Sequence, residues 1–200
     1  MLSTVVTAKY HKLATINSGM VAGTSRTPVR DALNRLAQEG LVEWNPGNGY
    51  AVLPLTDTTI SHVYEVRERL ETLALSLACG HLDRVAIAKI SLLIEEMKAA
   101  DTSDAAVQYE LNRRFHQHMM APCGNPLLLK ILDDLWDHPS SRLITRAYIK
   151  GDQTVQRMLS EHEAMLEATI AGDVERLLNL AAAHMSDGYD AAKSAHSQVR

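Results

Sequence analysis

From Asp57 to its last residues the 200-residue chain loses every strand-like alternation, and apolar residues recur at helical spacing between short stops. Helices with no sheet to cover must bury their apolar stripes on one another, so most of this chain is confined to an all-α bundle. The periodicity predicts six helices, at roughly 58–80, 84–100, 104–121, 125–149, 154–171 and 173–195. "TDTTISHVYEVRERLETLALSLAC" opens on Asp and Thr caps and stops at Gly80, "CGNP" separates the third helix from the fourth, and "AGD" at 171–173 separates the last two.

Before Pro54 the texture is different. "LVEWNPGNGYAVLPL" has β-type runs at Leu41–Trp44 and Tyr50–Leu53 around a turn in which Pro46, Gly47 and Gly49 supply a tight bend and positive φ, so a hairpin is expected. A helix precedes it directly. In "TSRTPVRDALNRLAQEG", Thr27 suits an N-cap, Pro28 the first helical position and Gly40 a left-handed C-cap. Val29, Leu33 and Leu36 fall on one face, which leaves Arg26, Arg30 and Arg35 to the others. Upstream, Leu2, Val6, Tyr10 and Leu13 permit one amphipathic helix. A short arginine-bearing helix followed at once by a glycine-tipped hairpin has the layout of a winged helix-turn-helix, whose helix N-terminus enters the major groove. A solvated helix and hairpin with ordinary surface arginines fits the same residues.

Charge and cysteine usage agree with two unlike parts. Residues 1–55 carry five Lys/Arg against three Asp/Glu, and the rest carries fifteen against twenty-one, so a slightly basic segment joins an acidic body. No apolar run is long enough to span a membrane and the N-terminus lacks a signal-peptide pattern, which leaves the cytoplasm as the expected location. Cys79 and Cys123 lack paired spacing and read as buried thiols.

Nine histidines are many for this length, yet His11, His62, His81, His138 and His196 fall near caps, ends or turns, and His118 fits either core or surface. Three others are more suggestive. In "LNRRFHQH", Asn112 and His116 are four apart and project from one helix face, while His162 and His184 begin and end "HEAMLEATIAGDVERLLNLAAAH" on the last two helices. Bundle cores build metal sites from inward imidazoles on facing helices, but such spacing does not prove proximity, and buried histidines hydrogen-bonded to neighbours remain an alternative.

"SRTPVRDALNRLAQEGLVEWNPGNGYAV" resembles the recognition helix and wing of the GntR bacterial transcription regulators. That resemblance implies DNA contacts by Arg26, Thr27, Arg30 and Arg35, with Gly49 at the wing tip. Between Ser18-Gly19 and Ser25-Arg26, where the family places a turn and a further helix, this chain has only "MVAGT", so the winged helix is expected to lack its bracing helix. "YEVRERLETLALSLA", "LNRRFHQHMMAPCGNPLL" and "SEHEAMLEATIAGDVERLLNLAAAH" are similar to the FCD effector-binding domain of the FadR-type branch. Members commonly hold a divalent metal through one Asp and three His, which implies His116, His162 and His184 as ligands and puts Asn112 where the Asp would stand. Three neutral imidazoles, an amide and an open position suit zinc or nickel. The open position would take a carboxylate from a small effector, with Arg67 and Arg146 as candidate anchors; a plain surface charge is an equal reading of Arg146.

The expectation is therefore a mainly α protein: an incomplete N-terminal winged helix-turn-helix with a small β-hairpin over 1–56, and a six-helix all-α effector-binding domain over 57–200. Its expected role is that of a cytoplasmic homodimeric transcription regulator on a palindromic double-stranded DNA operator, and not an enzyme. Two alternatives stay open: a metal-dependent hydrolase, and a regulator that has lost DNA binding and acts through dimerisation.

Overall fold

The computed structural model describes residues 26–38, 42–47, 49–52, 55–149 and 151–197, and the chain divides between Leu55 and Thr56 into two compact units. In the first unit α1 spans Arg26–Gln38, and a two-stranded antiparallel hairpin pairs β1 (Val42–Asn45) with β2 (Gly49–Val52). The helix begins at Arg26, so Thr27 stands inside the first turn and is not the N-cap that the sequence suggested. Its inward face is the expected one, with Leu33 buried and Val29 and Leu36 half-buried. Hairpin register sets Val42 opposite Val52 and Trp44 opposite Tyr50. Gly47 and Gly49 both take positive φ, near +81° and +80°, which a side chain would resist. The suggested helix over Leu2–Leu13, the "MVAGT" link and the Gly40 cap lie outside the described residues.

The second unit contains seven α-helices among its described residues, one more than expected. They are α2 (Asp57–Ala78), α3 (Arg84–Ala99), α4 (Ala105–Met120), α5 (Pro126–Asp137), α6 (Pro139–Tyr148), α7 (Asp152–Ala171) and α8 (Val174–Ser197), with a 3-10 turn at Ala121–Cys123. The fourth expected helix, 125–149, is in fact α5 and α6, broken at His138 and Pro139. Proline has no N–H to donate and restricts the residue before it, so His138 leaves the helical region at ψ 131° and its ring accepts from Ser140 N as a cap. Other starts are set by the cap chemistry visible in the sequence: Thr56, Asp83, Asp104 and Asn125 each accept from a backbone N–H one turn on. Gly172, at φ 69°, ends α7 and turns the chain into α8.

Helix α2 packs along α8 and also meets α4, α5 and α6, while α3 covers α4 and α7. Between them lies one apolar core that includes Phe115, Met119, Leu132, Trp136, Met165 and Leu177. Both cysteines are free and buried, as expected. A row of polar side chains runs through the same interior: Arg67, Glu71, Asn112, His116 and His162 are all buried. Polar groups buried at that density require partners, or a ligand that supplies them.

Candidate metal and effector site

Helix α4 carries Asn112 and His116 one turn apart on its buried face, α7 brings His162, and α8 brings His184. Each of the three histidines offers a nitrogen, and these atoms lie within 4.8 Å of one another. Nε2 of His116 and Nε2 of His184 are 3.3 Å apart, a contact that also serves as a hydrogen bond between the two rings. Two nitrogens bound to one tetrahedral zinc at about 2.0–2.1 Å would stand about 3.3–3.4 Å apart, so the observed spacing matches an edge of such a ligand set.

The unpartnered atoms point the same way. Asn112 Oδ1 and both ring nitrogens of His162 are buried with no hydrogen-bond partner. His162 is held by stacking on Phe115, 3.8 Å between centroids and 12° from parallel. Burial, with His184 and His116 adding to it, pushes the His162 pKa well below its ordinary value of 6.5. Burial also lowers His116, against the opposing pull of Glu71. The neutral imidazole is the form that binds metal, so these rings need lose no proton to do so.

Two glutamates that the sequence reading did not single out complete the cluster. Glu71 accepts from Arg67 Nε at 2.8 Å and sets Oε2 3.2 Å from His116 Nδ1, outside hydrogen-bond geometry. Burial alone would raise the Glu71 pKa, but Arg67 and then His116 outweigh it and bring it down to about 2. Glu161, on α7, lies 2.6 Å from Nδ1 of His184 on α8. A signal was present in the sequence, because Arg67/Glu71 and Arg157/Glu161 are both Arg-to-Glu pairs at i, i+4.

A cleft opens onto the cluster, lined among others by Tyr64, Arg67, Asn112, Tyr148, Arg157 and His184. Arg67 is where the sequence expectation needs it, although its guanidinium is also stacked 3.8 Å over Trp136. Arg146 is exposed on α6 and is not among the lining residues, so the structure does not bring it to the cleft. Arg157 supplies the second lining cation instead. The Tyr64 hydroxyl donates to that of Tyr148 at 2.9 Å, and a Cβ on Gly188 would stand 3.0 Å from the first and 3.1 Å from the second, so only glycine leaves that approach open.

In the first unit Arg30 and Arg35 are exposed on α1, Thr27 is exposed in its first turn, and Gly49 opens β2 beside the hairpin tip. The Tyr50 hydroxyl hydrogen-bonds Asn34 Oδ1 and ties the hairpin to α1. Trp44, 58% exposed, packs on Tyr50.

Comparison with known proteins gives a consistent answer. Residues 62–187 match the FCD domain, and residues 20–52 match the bacterial regulatory proteins of the gntR family. The chain is 28% identical over 151 residues to the HTH-type transcriptional regulator YdhC of Bacillus subtilis (strain 168), covering 72% of this chain and 65% of that protein. It is 33% identical over 106 residues to the Nta operon transcriptional regulator of Aminobacter aminovorans, covering 53% of this chain and 50% of that one. The matches thus span about two thirds and half of these relatives' lengths. The solved structure of McbR/YncC from E. coli aligns over 86% of this chain and 82% of its own with a TM-score of 0.70 at 23% identity, which establishes likeness of fold.

Proposed function

The chain belongs to the gntR family of bacterial regulatory proteins and carries that family's FCD domain, and from this premise we propose that it is a DNA-binding transcription regulator whose helical unit senses a small carboxylate through a divalent metal. The families that match are regulators, which leaves the metal-dependent hydrolase without support. Among the described residues no helix is long and apolar enough to cross a membrane, and a regulator of operator DNA would work in the cytoplasm.

In this reading Arg26, Thr27, Arg30 and Arg35 of α1 would contact double-stranded DNA in the major groove. Arginine there can take a guanine edge in a bidentate pair or neutralise phosphate, and the wing at Gly49 lets backbone approach a phosphate closely. A homodimer would present two such heads to a palindromic operator. In the helical unit His116, His162 and His184 would hold the ion, with Asn112 Oδ1 as an added neutral donor and a further position left open to the carboxylate. One amide and three imidazoles carry no charge, a donor set that suits zinc or nickel better than magnesium or calcium. The bound ion would act as a Lewis acid toward an anionic ligand. The protein's own contribution is orientation and charge: Arg67 faces the cleft as a carboxylate anchor, and the Tyr64 and Tyr148 hydroxyls offer hydrogen bonds beside it.

The observation that carries the metal assignment is the set of buried donor atoms without partners, Asn112 Oδ1 and both nitrogens of His162, next to two imidazole Nε2 atoms at ligand-to-ligand spacing. Metal analysis of the purified protein, with thermal unfolding in added zinc or nickel, tests it. Stoichiometric metal and a raised melting temperature are expected. A metal-free protein indifferent to both ions would make the cluster purely structural. Gel-shift or fluorescence titration with operator DNA tests the other half, and a folded protein without DNA affinity would favour a regulator acting through dimerisation alone.

A further inference from the structure

The three histidines are not held alike. His162 has no polar partner and rests on Phe115. His116 faces Glu71 outside hydrogen-bond geometry, and that carboxylate is already committed to Arg67. His184 alone of the three has a short polar contact from its outer nitrogen: Glu161 reaches from α7 to α8 and sets Oε2 2.6 Å from Nδ1. A ring nitrogen that donates to a carboxylate keeps its proton there, which puts the lone pair on the opposite nitrogen and fixes the ring's rotation. In His184 that opposite nitrogen is the one facing His116 Nε2 at 3.3 Å.

Glu161 is itself shared. Arg157 Nε lies 3.6 Å from Glu161 Oε1, and its Nη1 lies 3.7 Å from Asp187 Oδ2. These are long contacts from a side chain that is 49% exposed and lines the cleft, so Arg157 is divided between two carboxylates and locked to neither.

We propose that Glu161 is the positioning residue of His184, turning Nε2 toward the metal, and that Arg157 tempers it by drawing on the same carboxylate from the mouth of the cleft. The proposal rests on the metal reading above. The two residues act with opposite sign. Without Glu161 the ring is free to rotate and its bound nitrogen loses an electron-donating partner, which weakens metal binding. Without Arg157 the whole carboxylate charge serves His184, which strengthens it. An ion pair that merely braced α7 against α8 would make both variants change in the same direction.

Cobalt(II) titration of the protein, followed by its visible absorption, separates these cases, with thermal unfolding measured with and without the ion. Glu161→Gln keeps the shape and an acceptor oxygen but loses the charge, and Glu161→Ala loses both. We expect affinity to fall by about 10- to 100-fold, less for Gln than for Ala, with an altered cobalt spectrum and a nearly unchanged melting temperature of the metal-free protein. Arg157→Ala should tighten binding by about 1.5- to 5-fold, the scale of an exposed ion pair. Wild-type affinity and spectrum in Glu161→Gln would overturn the proposal and leave the metal reading standing, as would equal weakening by Glu161→Gln and Arg157→Ala. A wild type that takes up neither cobalt nor zinc overturns both together. Should Glu161→Ala fail to fold, the isosteric Gln variant decides.

Discussion

His162 is the most exposed test of the site at the scale of single residues, because it is fully buried with neither nitrogen satisfied. A bound ion would repay that cost, and an ion that binds only the folded chain stabilises it. His162→Ala should therefore abolish stoichiometric metal, and the melting temperature should stop responding to zinc or nickel. A variant that keeps both metal and response would place the ligands elsewhere. Acid stability follows from the same residues. His162 and His116 have folded pKa values below the ordinary 6.5, so the unfolded chain takes up their protons first and metal-free stability is lost as pH falls below about 6.5. Glu71, lowered to about 2, contributes stability that is complete above its ordinary 4.5 and lost between there and about 2. Urea unfolding across this range should show both losses, and Glu71→Gln should flatten the lower one; an unchanged lower limb would mean that Arg67 does not hold Glu71 ionised.

At the scale of elements, α1 and α7 make opposite bets. Helix α7 buries Val155, Leu159, Met165 and Ala168 in a core shared by several helices, whereas the buried apolar side chains described in the first unit are Leu33, Val42 and Ala51. Each such side chain contributes at most about 1.5–3 kcal/mol, so α1 is expected to exchange its amides faster than α7 by orders of magnitude. Equal protection at Val29–Leu36 and along α7 would show that other residues brace the helix. The polar side of α1 makes a separate prediction. Arg30 is exposed in the helix's early turns, and if it reads a base, Arg30→Ala should cost about 1–3 kcal/mol of operator binding and relax preference at that base pair. Binding curves unchanged across operator variants would remove Arg30 from the readers.

For the whole molecule the question is whether the proposed metal and effector site speaks to DNA. Any ligand that shifts operator affinity must have its own affinity shifted by the same factor when operator is bound, typically about 5- to 150-fold in such systems. Operator titrations of metal-loaded and metal-stripped protein, repeated with simple carboxylates, should differ by a factor in that range. Identical curves in every ligand state would leave the helical unit without a regulatory role.

Much of this protein was legible in the chain. The helical period after Asp57, the Thr cap that opens α2 and the glycine-bearing hairpin are local signals, because caps, turns and amphipathic stripes depend on neighbours a few residues away. Residue type and helix face likewise nominated Asn112, His116, His162 and His184. Pro139 carried a break that the long apolar period concealed, so one expected helix became two. What the sequence could not decide is which distant side chains meet. Only the packing of α4, α7 and α8 brings three imidazoles within 4.8 Å, sets Glu161 against His184 across a separation of 23 residues, and seats Arg157 in the cleft while Arg146 stays exposed on α6. Those contacts are fixed by how helices nest in three dimensions, a property of the folded core as a whole that no local window of residues contains.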